Sequence, residues 1–184
     1  MITPVTPHPV FPEVRLLSLS HFEDERGSMS RIYDREIFQR ENIPCEFVQT
    51  SHSHTSQVGI LRGLSVSLPP YREAKLITCT GGCMQWVVVD LRLGSPTLGR
   101  WGEILLEPGR SVFVPVGFAH GCLSLRAPVD LILSADQPFQ AKHFSGIRYD
   151  DPQLAIAWRM QPLLVSSAHL NLPSLSEILD LLTP

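Results

Sequence analysis

Gly109-Arg-Ser-Val-Phe-Val-Pro115-Val-Gly117-Phe-Ala-His120 is the stretch on which the fold reading turns. A glycine opens a turn, Ser111–Pro115 reads as a strand, and Pro115-x-Gly117 bends the chain so that the histidine is aimed inward. Outward from it the chain is a succession of short β-rich runs broken by turn residues: Val14–His21, Cys45–Ser51, Val58–Leu68, Ala74–Thr80, Met84–Leu91 and Val129–Ala135. That spacing suits a sandwich or barrel. Trp86-Val87-Val88-Val89 is apolar on successive residues, which predicts a strand covered on both faces. Gly81-Gly82 predicts a tight hairpin between Ala74–Thr80 and Met84–Leu91.

Helix signals are few. Asp34–Glu41 predicts a short helix behind a capping aspartate, and Ser174-Leu-Ser-Glu177 is a capping box opening a helix over 174–182. With 184 residues, 43% of them hydrophobic, the chain can bury one good core, so a single domain over 1–184 is expected. Prolines 4, 7, 9 and 12 make residues 1–20 an extended arm ending in a strand.

A net charge of −3 offers no basic patch, so nucleic acid is not an expected partner. The start lacks a basic, then apolar, leader pattern, and no run approaches the roughly 18 apolar residues of a membrane span. A soluble cytoplasmic protein is the expectation. Among Cys45, Cys79, Cys83 and Cys122, the Cys79-x-x-x-Cys83 pair has a spacing that could ligate a metal, but reads better as two strand thiols flanking the Gly-Gly turn.

The Gly109–His120 stretch resembles the second cupin motif, with Ser124 where the motif closes on asparagine. The expected fold is therefore all-β, a cupin-type double-stranded β-helix (jelly-roll barrel) with short peripheral helices. A second resemblance is broader. Asp24-Glu-Arg-Gly27, Phe47-Val-Gln49, His52-Ser53, Gly59-Ile-Leu-Arg-Gly-Leu64, Ala74-Lys-Leu76, Val89-Asp-Leu-Arg92, Ser95-Pro-Thr97 and Asp150-Asp-Pro152 follow one another as in the dTDP-4-dehydrorhamnose 3,5-epimerase family. The likeness runs from about Phe22 to Leu170. It implies a nucleotide-linked 4-keto-6-deoxyhexose as substrate, no metal or other cofactor, and a homodimer that exchanges N-terminal strands.

In that family a histidine removes a proton beside the ketone, a lysine steadies the enolate oxygen, and a tyrosine returns a proton from the other face. The resemblance matches Lys75 to the lysine, Arg62 to a substrate-facing arginine and Arg26 to a diphosphate contact. Gln49 and His52 match the facing strand, and His120 a pocket histidine. Lys75 and His120 are the candidate catalytic residues. Ser65 stands where the family strand GVLRGLH carries its base, Leu133 at the tyrosine, Phe139 at a second tyrosine, Ser51 at an asparagine, and Leu170 or His169 at the aspartate that orients the base. A serine hydroxyl is no base near neutral pH, and groups that act as a unit are not lost one at a time without losing the rate. Altered chemistry is therefore expected in place of the standard double epimerisation. The alternatives are a catalytically inactive binding or regulatory relative, and a metal-dependent cupin using His52, His54 and His120. His54 is also an alternative base.

Overall fold

The computed structural model describes residues 5–43 and 46–182. Twelve strands dominate: β1 Val5–Pro7, β2 Arg15–Ser18, β3 Ser20–Asp24, β4 Gly27–Arg31, β5 Gln49–Thr55, β6 Ile60–Ser67, β7 Lys75–Asp90, β8 Trp101–Leu106, β9 Arg110–Val114, β10 Phe118–Ala135, β11 Phe144–Gly146 and β12 Leu164–Val165. Three α-helices trim them: α1 Arg35–Arg40, α2 Ser167–Leu170 and α3 Leu175–Leu182. The expected all-β architecture with short peripheral helices is the one observed.

The frame is the antiparallel pair β7–β10. It runs from Phe118 opposite Asp90 to Ala135 opposite Lys75. Here one expectation is corrected. Gly81-Gly82 makes no hairpin; β7 passes through it as one strand, and its partner β10 passes through Arg126–Val129. The register slips between Ser124 and Leu131, so the pair turns a corner by bulging while both strands continue. Gly82 has φ +77°, and a Cβ there would press on the carbonyls of Arg126 and Pro128. Only glycine fits that crossing.

Other expected runs are trimmed or divided. Val14–His21 is two strands, β2 in the main sheet and β3 paired with β4 in a separate hairpin. Val58–Leu68 begins as a strand at Ile60, and Cys45–Ser51 becomes Gln49–Thr55, with Cys45 outside the described residues. Both helix expectations hold: Asp34 accepts from the Glu36 and Ile37 amides, while Ser174 and Glu177 bond reciprocally.

Alternation along β7 distributes the core. Ile77, Cys79, Met84, Trp86 and Val88 point into the barrel with Val112, Val114, Cys122 and Leu131. Val87 and Val89 point outward to Ile178 and Leu182 of α3, with Leu64 and Ile147. Leu76 packs with Leu17 and Phe113 against α1. Both faces of the valine run are thus covered, as its pattern predicts. Asp151, only 2% exposed, accepts hydrogen bonds from the Gln153, Leu154 and Leu175 amides and so fixes the start of α3 to a distant loop.

One buried charge closes the barrel end. Asp90 is fully buried and accepts from Arg92, Ser95 and Thr97. Burial opposes its ionisation, but these donors outweigh that and hold its carboxyl far below the usual range. Arg92 also lies over the Phe118 ring, 4.6 Å from its centroid. Because the folded pKa is depressed, the stabilisation is present above about pH 4 and is lost as pH falls toward the folded value. Asp90→Ala takes away the buried partner of Arg92, leaving it the half-exposed Glu13, and is expected to cost about 3 kcal/mol, read as a lower urea midpoint at pH 7.

Candidate functional site

The inner surface of the barrel gathers most of the residues singled out from sequence. His120 stands opposite Ser65 on one side and Val88 on the other. Between β10 and β6 the register shifts, so that Cys122 faces Arg62 while His120 faces Ser65. Two residues of β10 therefore span three of β6, and this bulge lets Arg62 and Ser65 share a face despite their odd spacing. Lys75, at the start of β7, lies opposite Ala135, next in the ladder to Leu133 opposite Ile77. Gln49 pairs with Ala135 and Ser51 with Leu133, which puts both on the same face.

The charges there are paired. Lys75 Nζ is 2.8 Å from Glu73 Oε1, and both side chains are largely buried. Ser67 donates to the same carboxylate oxygen at 2.7 Å. The Arg62 guanidinium donates to Thr55 Oγ1 and to the His54 carbonyl, each at 3.2 Å. His120 stacks on Trp86, centroids 5.3 Å apart and planes 20° from parallel. Burial, reinforced by the Lys75 charge, pushes His120 well below its ordinary value, so the ring is neutral at pH 7. Trp86 Nε1 is buried beside it with no hydrogen-bond partner among the described residues. Such a donor is costly to leave unpaired, so this wall of the barrel is one that a polar ligand atom or water would satisfy.

Several sequence expectations are corrected. His52 and His54 alternate out of phase with Gln49 and Ser51, so they lie on the opposite side of β5. Both rings there meet Asp130 Oδ1, at 2.9 and 2.8 Å. His52 is therefore not a pocket residue, and the pair does not converge with His120 into a three-histidine site. Period-2 alternation counted from Gln49 would have revealed this. Arg26 is at the tip of the β3–β4 hairpin, its side chain 85% exposed and ion-paired with Asp24. Cys79 and Cys83 are free buried thiols on the strand; burial pushes Cys79 up to about 11 and Cys122 up to about 12.

At the rim, Leu170 is 52% exposed. His169 instead turns inward, its ring 6.2 Å from that of Phe144, which in turn lies 6.1 Å from Phe139. The Phe139 amide donates to Gln49 Oε1 at 3.0 Å. Phe144 and Trp86 were not signalled as site residues by any motif. Their place follows from ladder register, which single-sequence patterns do not carry.

The sequence profile of dTDP-4-dehydrorhamnose 3,5-epimerase matches residues 9–177. The chain belongs to this epimerase family. A dTDP-4-dehydrorhamnose 3,5-epimerase of Sinorhizobium fredii is 36% identical over 169 residues, covering 90% of this chain and 87% of that protein. One from Pseudomonas aeruginosa is 37% identical over 158 residues, covering 83% and 86%. Among solved epimerases, dTDP-6-deoxy-D-glucose-3,5-epimerase from Legionella pneumophila in complex with dTDP-4-keto-L-rhamnose superposes with a TM-score of 0.91 at 30% identity, covering 97% of this chain and 96% of that one. A 3'-monoepimerase from Streptomyces bikiniensis in complex with dTDP-quinovose gives 0.86 at 28%, covering 96% and 91%. The cupin-type barrel expected from Gly109–His120 is thereby the fold of this epimerase-like chain, whose class is that of nucleotide-sugar isomerases of deoxysugar biosynthesis. No helix among the described residues is long and apolar enough to cross a membrane.

The Glu73–Lys75 pair sets where the ammonium points on the inner face of the barrel. A double-mutant cycle on Glu73→Gln and Lys75→Met, read by urea unfolding, is expected to give a coupling energy of about 1–3 kcal/mol. A coupling near zero would mean that the ion pair does not hold the lysine in place.

Proposed function

We propose that this epimerase-family chain binds a dTDP-linked 4-keto-6-deoxyhexose in the barrel and exchanges the proton at one carbon beside the ketone, in place of the standard double epimerisation. The observation that carries the reading is the composition of one face. Arg62, Lys75 and His120 lie there together with Ser65 and Leu133, so the cations and the neutral imidazole are kept where a base and a phenol are not. Double epimerisation needs proton removal and return at two carbons, and Leu133 offers no proton to return.

The roles follow from the groups. Lys75, held by Glu73, is placed to meet negative charge developing on the ketone oxygen, and preorganised charge of this kind is what makes a neighbouring proton labile. His120, neutral, can hydrogen-bond the same oxygen or a hydroxyl. Arg62 offers a planar donor fork for phosphate. Phe139, 53% exposed, and Phe144 make an aromatic rim suited to a nucleotide base. No metal or cofactor is needed for this chemistry. The Streptomyces relative, by its description a monoepimerase, supports a one-centre reaction on this barrel.

Incubated in deuterated water with a dTDP-4-keto-6-deoxyhexose, the protein is expected to take label at one of C3 and C5 only. Rapid label at both carbons would overturn the altered-chemistry reading. Calorimetry should show dTDP binding that weakens about tenfold in Arg62→Ala, the scale of one charge-assisted hydrogen bond. Binding without label at either carbon would favour the inactive, ligand-binding alternative.

The same reading takes the functional unit to be a homodimer, with one change from the sequence expectation. β2 pairs with β9 within the single chain, which favours the next element, the hairpin β3–β4, over residues 15–18 as the exchanged one. That hairpin pairs with no other strand among the described residues. Phe22 and Met29, opposed in its ladder, are 55% and 67% exposed, and a two-stranded hairpin is marginal by itself in water. Seated on a second copy, it would carry Arg26 to that copy's pocket. Light scattering is expected to give about twice the 20.5 kDa chain mass. Phe22→Ser with Met29→Ser should lower the mass and weaken dTDP binding together; a ligand-binding monomer would refute the shared pocket.

A further inference from the structure

Ladder register fixes what stands beside Ser65. Gly146 lies opposite Ser65 and Phe144 opposite Ser67, so the Phe144 side chain shares the inner face with both serines. His169 packs its ring on Phe144 and lies within the field of Arg62, on that same face. The chain reaches this spot by construction. β12 runs beside Ile60 and Leu61, Leu172 lies over Gly146, and α2 spans the edge of β6 between these two contacts. Ser166 Oγ meets His169 Nδ1 at 3.0 Å and accepts the His169 amide at 3.3 Å. Nε2 is the ring nitrogen left without a partner among the described residues.

We propose that His169 is the proton acceptor of this pocket, supplying from α2 the base that Ser65 does not supply from β6. The proposal rests on the reading of the barrel as a dTDP-ketohexose site. With Nδ1–H donated to the Ser166 hydroxyl, Nε2 carries the lone pair, the arrangement of a base oriented by a neighbouring group. In the step itself the C–H bond beside the ketone breaks and an Nε2–H bond forms. The carbon's electron pair becomes the enolate double bond, and the carbonyl π pair moves onto the oxygen, where the Lys75 ammonium meets it. Return of a proton to carbon, from Nε2 or from water, restores the ketone with no net oxidation. Burial and the Arg62 charge keep the ring unprotonated near neutral pH. His120 is the poorer acceptor, because the imidazolium it would become has to form in the closed barrel beside Lys75, whereas His169 sits at the rim, where solvent reaches it.

The test uses the full chain with a dTDP-4-keto-6-deoxyhexose in deuterated water, dTDP calorimetry alongside, and the variant His169→Ala. Label uptake is expected to fall about 100- to 10,000-fold, the usual loss with a general base. The dTDP dissociation constant should stay within threefold, which reports an intact pocket. Added imidazole should restore uptake at least tenfold, which a merely structural role would not produce. Uptake within threefold of the wild-type rate, or a loss that imidazole does not restore, would overturn the assignment while leaving the pocket reading in place. A wild-type protein that neither binds dTDP nor takes up label would overturn the pocket reading, and this assignment with it.

Discussion

The pairing of β7 with β10 is the constraint on which the rest of the molecule depends. These two strands supply the inner wall, and four others attach to them directly: β8 and β9 to β7, β5 and β6 to β10. Their common corner at Gly81-Gly82 and Arg126–Val129 lets a single long ribbon serve both ends of a closed barrel. The cost is a backbone crossing that tolerates no Cβ at Gly82. The benefit is that inner-facing positions on either side of the corner, Ile77 and Cys79 before it and Trp86 and Val88 after it, stay in one core.

The fold was legible in the sequence where local chemistry and tertiary structure agree. The Gly109 turn, the Pro115-x-Gly117 bend, the Asp34 cap and the Ser174–Glu177 box each have a mechanism that operates within a few residues, and each lies where it was read. The Gly81-Gly82 hairpin was misread because two glycines between apolar runs signal a reversal and a bulge alike. Only the long-range partner, β10, decides between them. The strands β8, β11 and β12 and the first half of β10 gave weak signals, since they are held by cross-strand partners more than by their own composition.

The site divides along the same line. Lys75, Arg62, Ser65, Gln49, His120 and Leu133 were identified by their place in motifs, and register brings them to one face. His52 was carried along by its motif although alternation sends it to Asp130 on the outside. Arg26 could not be placed from motif letters, because its hairpin pairs with no strand of the main sheet among the described residues. Trp86 and Phe144 were invisible to motif reading. Each is brought to the candidate site by the ring it meets, His120 in one case and His169 in the other.

The carboxylate of Asp151 has a further consequence. By accepting the Leu175 amide it ties together the two ends of the segment from 152 to 174, which includes β12, α2 and the rim histidine. A strap closed at its base has lost most of its chain entropy before it touches the barrel, so its middle needs only modest contacts to stay seated. Leu154 and Trp158 are packed into the core, but exposed positions of the strap such as Leu170 can be exchanged without loosening the barrel wall beneath it. The exposed part of the strap is therefore where the sequence can drift fastest, governed by an anchor buried at its base.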